Sequence, residues 1–303
     1  MKGSKFFLAN KAYLYILPTM AIMLFIFLNP IIRMFIFSLE EWRYLRPQGL
    51  NNFKNYTDLL SGKHFYNSFG NNVTIIVGVV PVVTLIALTF AQAIFLKIKG
   101  YRVYGFLFFI PVFMPDIVVA QVLTTILNKA GPLNAFLINI GLGAFAQDWL
   151  GSSGFSLFSI IVSLIWKNIG FALILFLARL TTIEPSIYES AEIDGASAVN
   201  KYFSITLPML ASTISIYVIL QIIGIMSFLF SYIHVMTAGG PGYSSTVLEY
   251  FIYVNIFKLQ EIGKGSAAGV ILIIFTMIII YTWLFLSMKS EKKSQRESSR
   301  AEK

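Results

Sequence analysis

Two ionisable side chains stand deep inside apolar runs: Asp116, shortly after Pro111 and Pro115, and Lys167, directly after Trp166. A charge held away from water is costly and marks a functional candidate. Their similar depth leaves two readings open, an ion pair between two helices or two charges lining a solute path. The rest of the chain is poor in reactive groups. Cysteine is absent, which removes disulfides, thiolate metal sites and thiol nucleophiles. His64 and His234 lie far apart in sequence and read as surface or hydrogen-bonded residues, not as metal ligands. No Gly-x4-Gly-Lys-Ser/Thr phosphate loop, His-Glu-x2-His or Gly-x-Ser-x-Gly occurs. The nearest string, Gly263-Lys264-Gly265-Ser266, lacks the upstream glycine. No catalytic residue and no metal site is expected, and the chain reads as something other than an enzyme.

The elements that carry these charges follow from composition. The chain is 57% hydrophobic and 12% charged, against about 25% charged residues in ordinary soluble domains. Such a surface needs lipid as its solvent. A membrane helix takes roughly 20 mainly apolar residues, and six stretches qualify: Tyr13–Phe37, Val73–Leu96, Val103–Leu127, Phe155–Leu180, Leu207–Val235 and Ser266–Met288. The third contains Pro111, Pro115 and Asp116; the fifth contains Ser227, Ser231 and His234. The expected fold is therefore all-α, a polytopic integral membrane protein of six transmembrane helices. A net charge of +9 could suggest nucleic acid, but the basic residues sit between and beyond the apolar runs, so no nucleic-acid partner is expected.

Orientation follows from lysine and arginine in the short loops. With the N-terminus inside, the inner segments hold Lys2, Lys5, Lys11, Lys97, Lys99, Arg102, Lys201 and the basic tail from Lys289 to Lys303. The longer outer loops hold fewer: Arg43, Arg46, Lys54, Lys63, Lys129, Lys258 and Lys264. Both termini are thus expected in the cytoplasm. The first span is too long for a signal h-region and no small-x-small site follows it, so it reads as a retained helix. The expected division is a cytoplasmic N-terminus at 1–12, a membrane domain at 13–288, and a solvated, frayed cytoplasmic tail at 289–303.

Between the fourth and fifth spans runs an inner segment longer than a reversal needs, with its centre at 184–208. Glu184-Pro185-Ser186 is a helix start, since proline suits a first turn and acidic residues suit the positive helix end. Ile187, Tyr188, Ala191 and Ile193 give that helix an apolar side, and Gly195 can end it in the left-handed conformation. A second short helix is expected around Ala196–Phe203, leading to Pro208. An amphipathic hairpin on the membrane surface and a docking element for a soluble partner both fit.

The spacing of this segment is specific. Glu189-Ser190-Ala191, Gly195 and Ile205-Thr206-Leu207-Pro208 resemble the EAA motif of ABC importer permeases, E-A-A-x3-G-x9-I-x-L-P, with Ser190 in place of the middle alanine. Similarity to sugar permeases of the maltose-transporter type extends over nearly the whole chain. It includes Tyr15-Ile16-Leu17-Pro18, Asn52-Phe53-Lys54-Asn55-Tyr56, Asp148-Trp149-Leu150-Gly151, Trp166-Lys167 with Gly170-Phe171, Phe176-Leu177-Ala178, Ile193-Asp194-Gly195-Ala196, and Thr237-Ala238-Gly239-Gly240-Pro241-Gly242.

The resemblance implies the transmembrane subunit of an ATP-driven importer in a bacterial or archaeal cell membrane. Its partners would be a second homologous permease subunit, two ATPase subunits and an extracytoplasmic solute-binding protein. ATP and magnesium would be held by the ATPase, leaving no cofactor on this chain. The loop would be a coupling helix in an ATPase cleft, with Glu189 facing basic or polar groups, Ser190, Ala191 and Gly195 allowing close approach, and Ile205, Leu207 and Pro208 anchoring it. The solute would pass against the fourth and fifth spans, at Lys167, Asn168 and Phe171 and at Met226, Ser227, Phe228 and Leu229, with Asp116 nearby. Phe228, Phe230 and Tyr232 also fit as packing residues. Gly239, Gly240, Pro241 and Gly242 form an outer turn that would meet the binding protein, and Leu248–Leu259 fits a short interfacial helix. The cargo implied is a sugar or oligosaccharide, with a glycerol phosphate or an acidic oligosaccharide as the alternative. A secondary transporter would need coupling carboxylates in several spans and a repeat, and only Asp116 lies deep in one. A receptor or assembly scaffold is the remaining rival.

Overall fold

The computed structural model describes residues 2–301. In chain order the elements are α1 (Lys2–Ser38), β1 (Glu40–Arg43), β2 (Arg46–Leu50), α2 (Lys54–Leu60), α3 (Lys63–Phe95), α4 (Tyr101–Phe109), α5 (Asp116–Ile126) and α6 (Pro132–Asn139). They continue as α7 (Ser156–Leu180), α8 (Pro185–Ile193), α9 (Ala198–Lys201), α10 (Leu207–Phe228), α11 (Phe230–Met236), α12 (Leu248–Tyr253) and α13 (Ile262–Ala301). The chain divides into two compact units, Met1–Lys63 with Phe251–Leu272, and His64–Tyr250 with Ile273–Lys303.

In the first unit the most apolar window of α1, within Tyr15–Ser38, is not buried by protein, as befits a helix whose solvent is lipid. The strands β1 and β2 pair antiparallel, with Glu40 opposite Leu50 and Arg43 opposite Arg46. Their tight turn puts Tyr44 and Leu45 at φ 50° and 61°, the left-handed pair a two-residue hairpin demands. Asn55 fastens the hairpin base: its amide donates to the carbonyls of Ser38 and Glu40, each at 2.9 Å. Ser38 Oγ and the Tyr56 hydroxyl lie 2.7 Å apart. The Asn52–Tyr56 motif is therefore a structural clasp. Gly263 is part of it, because a Cβ there would stand 2.6 Å from the Glu40 carbonyl.

In the second unit the long helices α3 and α7 carry the core, with Val79, Val83 and Ala87 on one and Ile160, Ala172, Leu173 and Phe176 on the other fully buried. The opposite faces leave Val77, Leu85, Phe158 and Val162 exposed, a distribution suited to lipid.

Among the described residues five helices are long and apolar enough to cross a membrane, and one bent pair makes the sixth when counted as a single span. That pair corrects the expected third span. Instead of one helix over Val103–Leu127, α4 passes through a 3-10 turn at Ile110–Phe113, and the chain bends by 109° before α5 begins at Asp116. Proline is the cause: Met114, preceding Pro115, is driven to an extended conformation at φ −85°, ψ 136°, where the α region is disfavoured. The expected fifth span is also interrupted, at Leu229 between α10 and α11. At the C-terminus the helical backbone of α13 runs through Ala301, beyond the expected end of the span at Met288; Met1, Glu302 and Lys303, the outermost residues of the expected tails, lie outside the described residues.

Candidate functional site

The bend between α4 and α5 leaves the Met114 carbonyl without a helical donor, and Pro111 O keeps only the 3-10 bond from Met114 N at 3.2 Å. Pro111 would pass its oxygen to the N–H of residue 115, which is itself a proline and has none. Val118 N–H bonds Pro115 instead of Met114. Lys167, on the neighbouring α7, serves both oxygens: its ammonium donates to Pro111 O at 2.7 Å and to Met114 O. Prolines inside a membrane are tolerated where a neighbour satisfies the freed backbone groups in this way. The same ammonium lies 3.6 Å from Asp116 Oδ1, so the ion-pair reading of these two charges is realised geometrically. Asp116 is not in mid-helix, however. It is the first residue of α5, where the positive helix end favours a carboxylate. The Tyr232 hydroxyl on α11 donates to Asp116 Oδ1 at 3.2 Å. Gly170 permits this approach of α7, since a Cβ there would sit 2.1 Å from the Phe108 carbonyl.

These groups border a cavity of about 110 Å³. Of the residues expected on the solute path, Asp116, Lys167, Asn168, Phe228 and Leu229 line it. Phe171, Met226 and Ser227 do not. Met226–Leu229 is a contiguous run, and a helix presents one face at i, i+3, i+4 and i+7. The stripe that faces the cavity is Gln221, Gly224, Ile225 and Phe228, with Tyr232 following on α11. Met226 turns to the core, its sulfur 4.0 Å from Asn72 Nδ2, while Ser227 is exposed. Phe171 lies one turn past Asn168 on α7, exposed, with its ring 6.4 Å from that of Tyr217. Sequence reasoning missed Gln221, although a glutamine inside an apolar helix at this spacing was a legible signal. Tyr232, which fitted as a packing residue, is buried and hydrogen-bonded.

The loop between α7 and α10 forms largely as its residues dictate. Glu184 precedes α8 in an extended conformation with Pro185 at the first helical position. Gly195 stands at φ 77°, its N–H bonding Glu192 O at 3.0 Å while Ala196 N–H reaches back to Ala191 O at 2.9 Å. This is a Schellman closure. Ser197 caps α9 by accepting from Asn200 N at 3.2 Å. The second helix departs from expectation by not stopping: a π turn over Tyr202–Thr206 carries α9 into α10. Pro208 explains it, since a missing N–H and a ring that clashes four residues back are relieved by a wider turn. Tyr188 and Thr206 hydroxyls, 3.0 Å apart, tie α8 to that turn, and Lys201 pairs with Glu192. Of the residues expected to couple, Glu189, Ser190, Gly195 and Pro208 are exposed, and Ala191, Ile205 and Leu207 are half-buried. A Cβ on Gly195 would meet open space, so its requirement is conformational. Ile193 is 86% exposed, Val199 64% and Phe203 60%.

The glycine-rich turn after α11 packs inward. Gly239 is buried, and a Cβ there would lie 2.5 Å from Thr246 Oγ1 and 2.9 Å from the Tyr250 ring. Gly240 and Pro241 are half-buried and Gly242 is exposed, which narrows the candidate outer contact to the tip. Two asparagines of α3, unnoticed in the sequence, hold the segment. Asn71 Nδ2 donates to the carbonyls of Tyr243, Ser244 and Thr246 at 3.3, 3.1 and 2.8 Å. Asn72 accepts from Leu248 N at 2.7 Å and donates to the Glu249 carboxyl at 3.1 Å. Burial pushes the Glu249 carboxyl up to about 7, with its own backbone and the Asn72 amide holding it down in part. His64 stacks on Tyr243 at 3.8 Å, and His234 on Phe230 at 5.2 Å. Leu248, Tyr250 and Phe251 of α12 are buried, while Phe257 and Leu259, farther along the same expected segment, are exposed. Asn134 plays a similar part near α7: its side chain bonds Gln147 O at 2.7 Å and accepts from the Trp149 indole at 2.8 Å.

A lipid-facing bundle with a broken, cation-stapled helix beside a polar cavity, and a helical loop whose apolar side chains lie bare, defines a membrane transport subunit. The chain belongs to the family of binding-protein-dependent transport system inner membrane components, whose model matches residues 83–290. It is a permease subunit of an ABC importer. The trehalose/maltose transport system permease protein MalF of Thermococcus litoralis is 30% identical over 281 residues, spanning 92% of this chain and 94% of its own. The sn-glycerol-3-phosphate transport system permease protein UgpA of Salmonella typhi is 26% identical over 289 residues, 93% and 95% of the two chains. In three dimensions the chain is similar to one from a bacterial ABC transporter involved in the import of the acidic polysaccharide alginate. The TM-score is 0.78 at 25% identity, covering 92% of this chain and 95% of that one.

Proposed function

We propose that this subunit forms half of the membrane pathway for a carbohydrate delivered by an extracytoplasmic binding protein, with ATP and magnesium held on two separate ATPase subunits. A second, related permease subunit would complete the pathway. Both termini and the α8–α9 loop face the cytoplasm, and the hairpin β1–β2 and the turn at Gly242 face outward. The observation that carries the ATPase contact is the bare apolar set Ile193, Val199 and Phe203 on a loop closed rigidly by Gly195; exposed apolar side chains in a fixed frame are what a partner's cleft buries. A carbohydrate cargo is supported by the relative named for trehalose and maltose. The relatives named for glycerol phosphate and for alginate support the alternative of an anionic solute.

Co-purification of the assembled complex tests this reading. The tagged chain should bring down a second permease and an ATPase, and a saccharide with its binding protein should stimulate ATP hydrolysis. Continued uptake with a hydrolysis-dead ATPase would point instead to a secondary transporter, and no bound ATPase at all to a scaffold. Stimulation only by a non-saccharide solute would overturn the cargo.

A further inference from the structure

We propose that Asp116, and not Lys167, is the charged group through which this subunit selects its solute, and that the solute is uncharged and rich in hydroxyls. This rests on the importer reading above and refines its cargo.

An ammonium has three N–H donors and no acceptor. On Lys167 two go to Pro111 O and Met114 O, and the third side faces Asp116 Oδ1 at 3.6 Å. Its side chain is only 14% exposed. Two of the three lysine donors are therefore committed to the helix break, and the side chain is mostly covered there. Asp116 is the reverse case. Its side chain is 42% exposed and lines the cavity. Oδ1 takes the Tyr232 hydroxyl at 3.2 Å, while Oδ2 has no hydrogen-bond partner among the described residues.

A carboxylate oxygen only accepts, so what it can hold is a donor. A sugar hydroxyl meets that need, and a bond to an ionised acceptor is stronger than one between neutral groups. Asn168 and Gln221 add amides, and Phe228 an aromatic face for the C–H side of a sugar ring. An anionic solute brought to the same place would meet the more exposed Asp116 carboxylate before the mostly covered ammonium, and like charges so placed repel. Selection here works by exclusion as much as by attraction.

The experiment uses the whole importer with its binding protein in proteoliposomes. It follows ATP-dependent uptake of maltose, trehalose, sn-glycerol 3-phosphate and an alginate trisaccharide. The expected result is saturable uptake of a neutral sugar and none of the two anions. Asp116→Asn should raise the transport KM for that sugar about tenfold, the worth of one charge-assisted hydrogen bond. Tyr232→Phe, which frees the carboxylate from its phenol, should shift KM in the same direction by less. Uptake confined to an anion, or a fall in Vmax with KM unmoved in Asp116→Asn, overturns the assignment while the importer reading stands. The wild-type panel decides even if Asp116→Asn fails to assemble. Uptake of a non-saccharide alone would remove the carbohydrate reading itself, and this one with it.

Discussion

Gly170 and Lys167 share one face of α7 and one task. The glycine lets α7 touch the backbone of α4, and the lysine mends the bend that follows. Gly170→Ala places a methyl 2.1 Å from the Phe108 carbonyl oxygen and 2.5 Å from Val112 Cγ2, and the first, being backbone, cannot yield like a side-chain tip. It should cost about 1–3 kcal/mol, in the range of overpacking, and lower the melting temperature of the purified complex. Glu249 gives a pH signature. Its folded value of about 7 lies above its unfolded value, so between the two the folded chain binds the extra proton. Stability from this group is therefore fully present in acid and is lost as pH rises through 7, by at most about 1.4 kcal/mol per unit. Thermal melts of the wild type at several values from pH 5 to 8 should show that decline, and Glu249→Gln should flatten it. At this scale the sequence was half legible. Asp116 and Lys167 stood out because charge in an apolar run has few innocent explanations. Asn72 did not, because its partners Leu248 and Glu249 are brought to it only by the fold.

At the scale of elements, the loop Glu184–Pro208 was the most readable part of the chain, since caps and breakers are local chemistry. Gly195 sits at φ 77° in open space, so substitutions there should sort by backbone tolerance and not by volume. Gly195→Asn, which accepts the left-handed region, should keep most uptake. Gly195→Val should lose it, because a left-handed β-branched residue costs about 1–2 kcal/mol and the closure of α8 would reopen. ATPase activity stimulated by solute and binding protein measures the coupling directly. Equal loss in both variants would show that size at the docking surface matters instead. The broken third span was signalled by Pro111 and Pro115, but its 109° bend was not. A proline says that a helix is interrupted; the direction it takes afterwards is set by what α7 offers the freed carbonyls.

For the whole molecule, the five membrane-length helices and the apolar bent pair were legible from hydropathy alone, while the breaks within the expected third and fifth spans were a matter of tertiary packing. A chain free of cysteine makes its orientation directly testable. A single cysteine at Gln48 should react with a membrane-impermeant maleimide in intact cells. One at Ser197 should react only after permeabilisation, and less when the ATPase is bound. Labelling in the reverse order would invert the topology argued from lysine and arginine. The union of α7 with the bent pair bears on how the pathway opens. A cation shared between two carbonyls, with a backbone pressed against Gly170, does not slide; separating these helices would strip the ammonium of both oxygens and leave the Met114 carbonyl unpaired. The α4–α5 elbow therefore travels with α7 as a passenger through the transport cycle, and the relative motion that admits solute belongs to surfaces that no such rivet crosses.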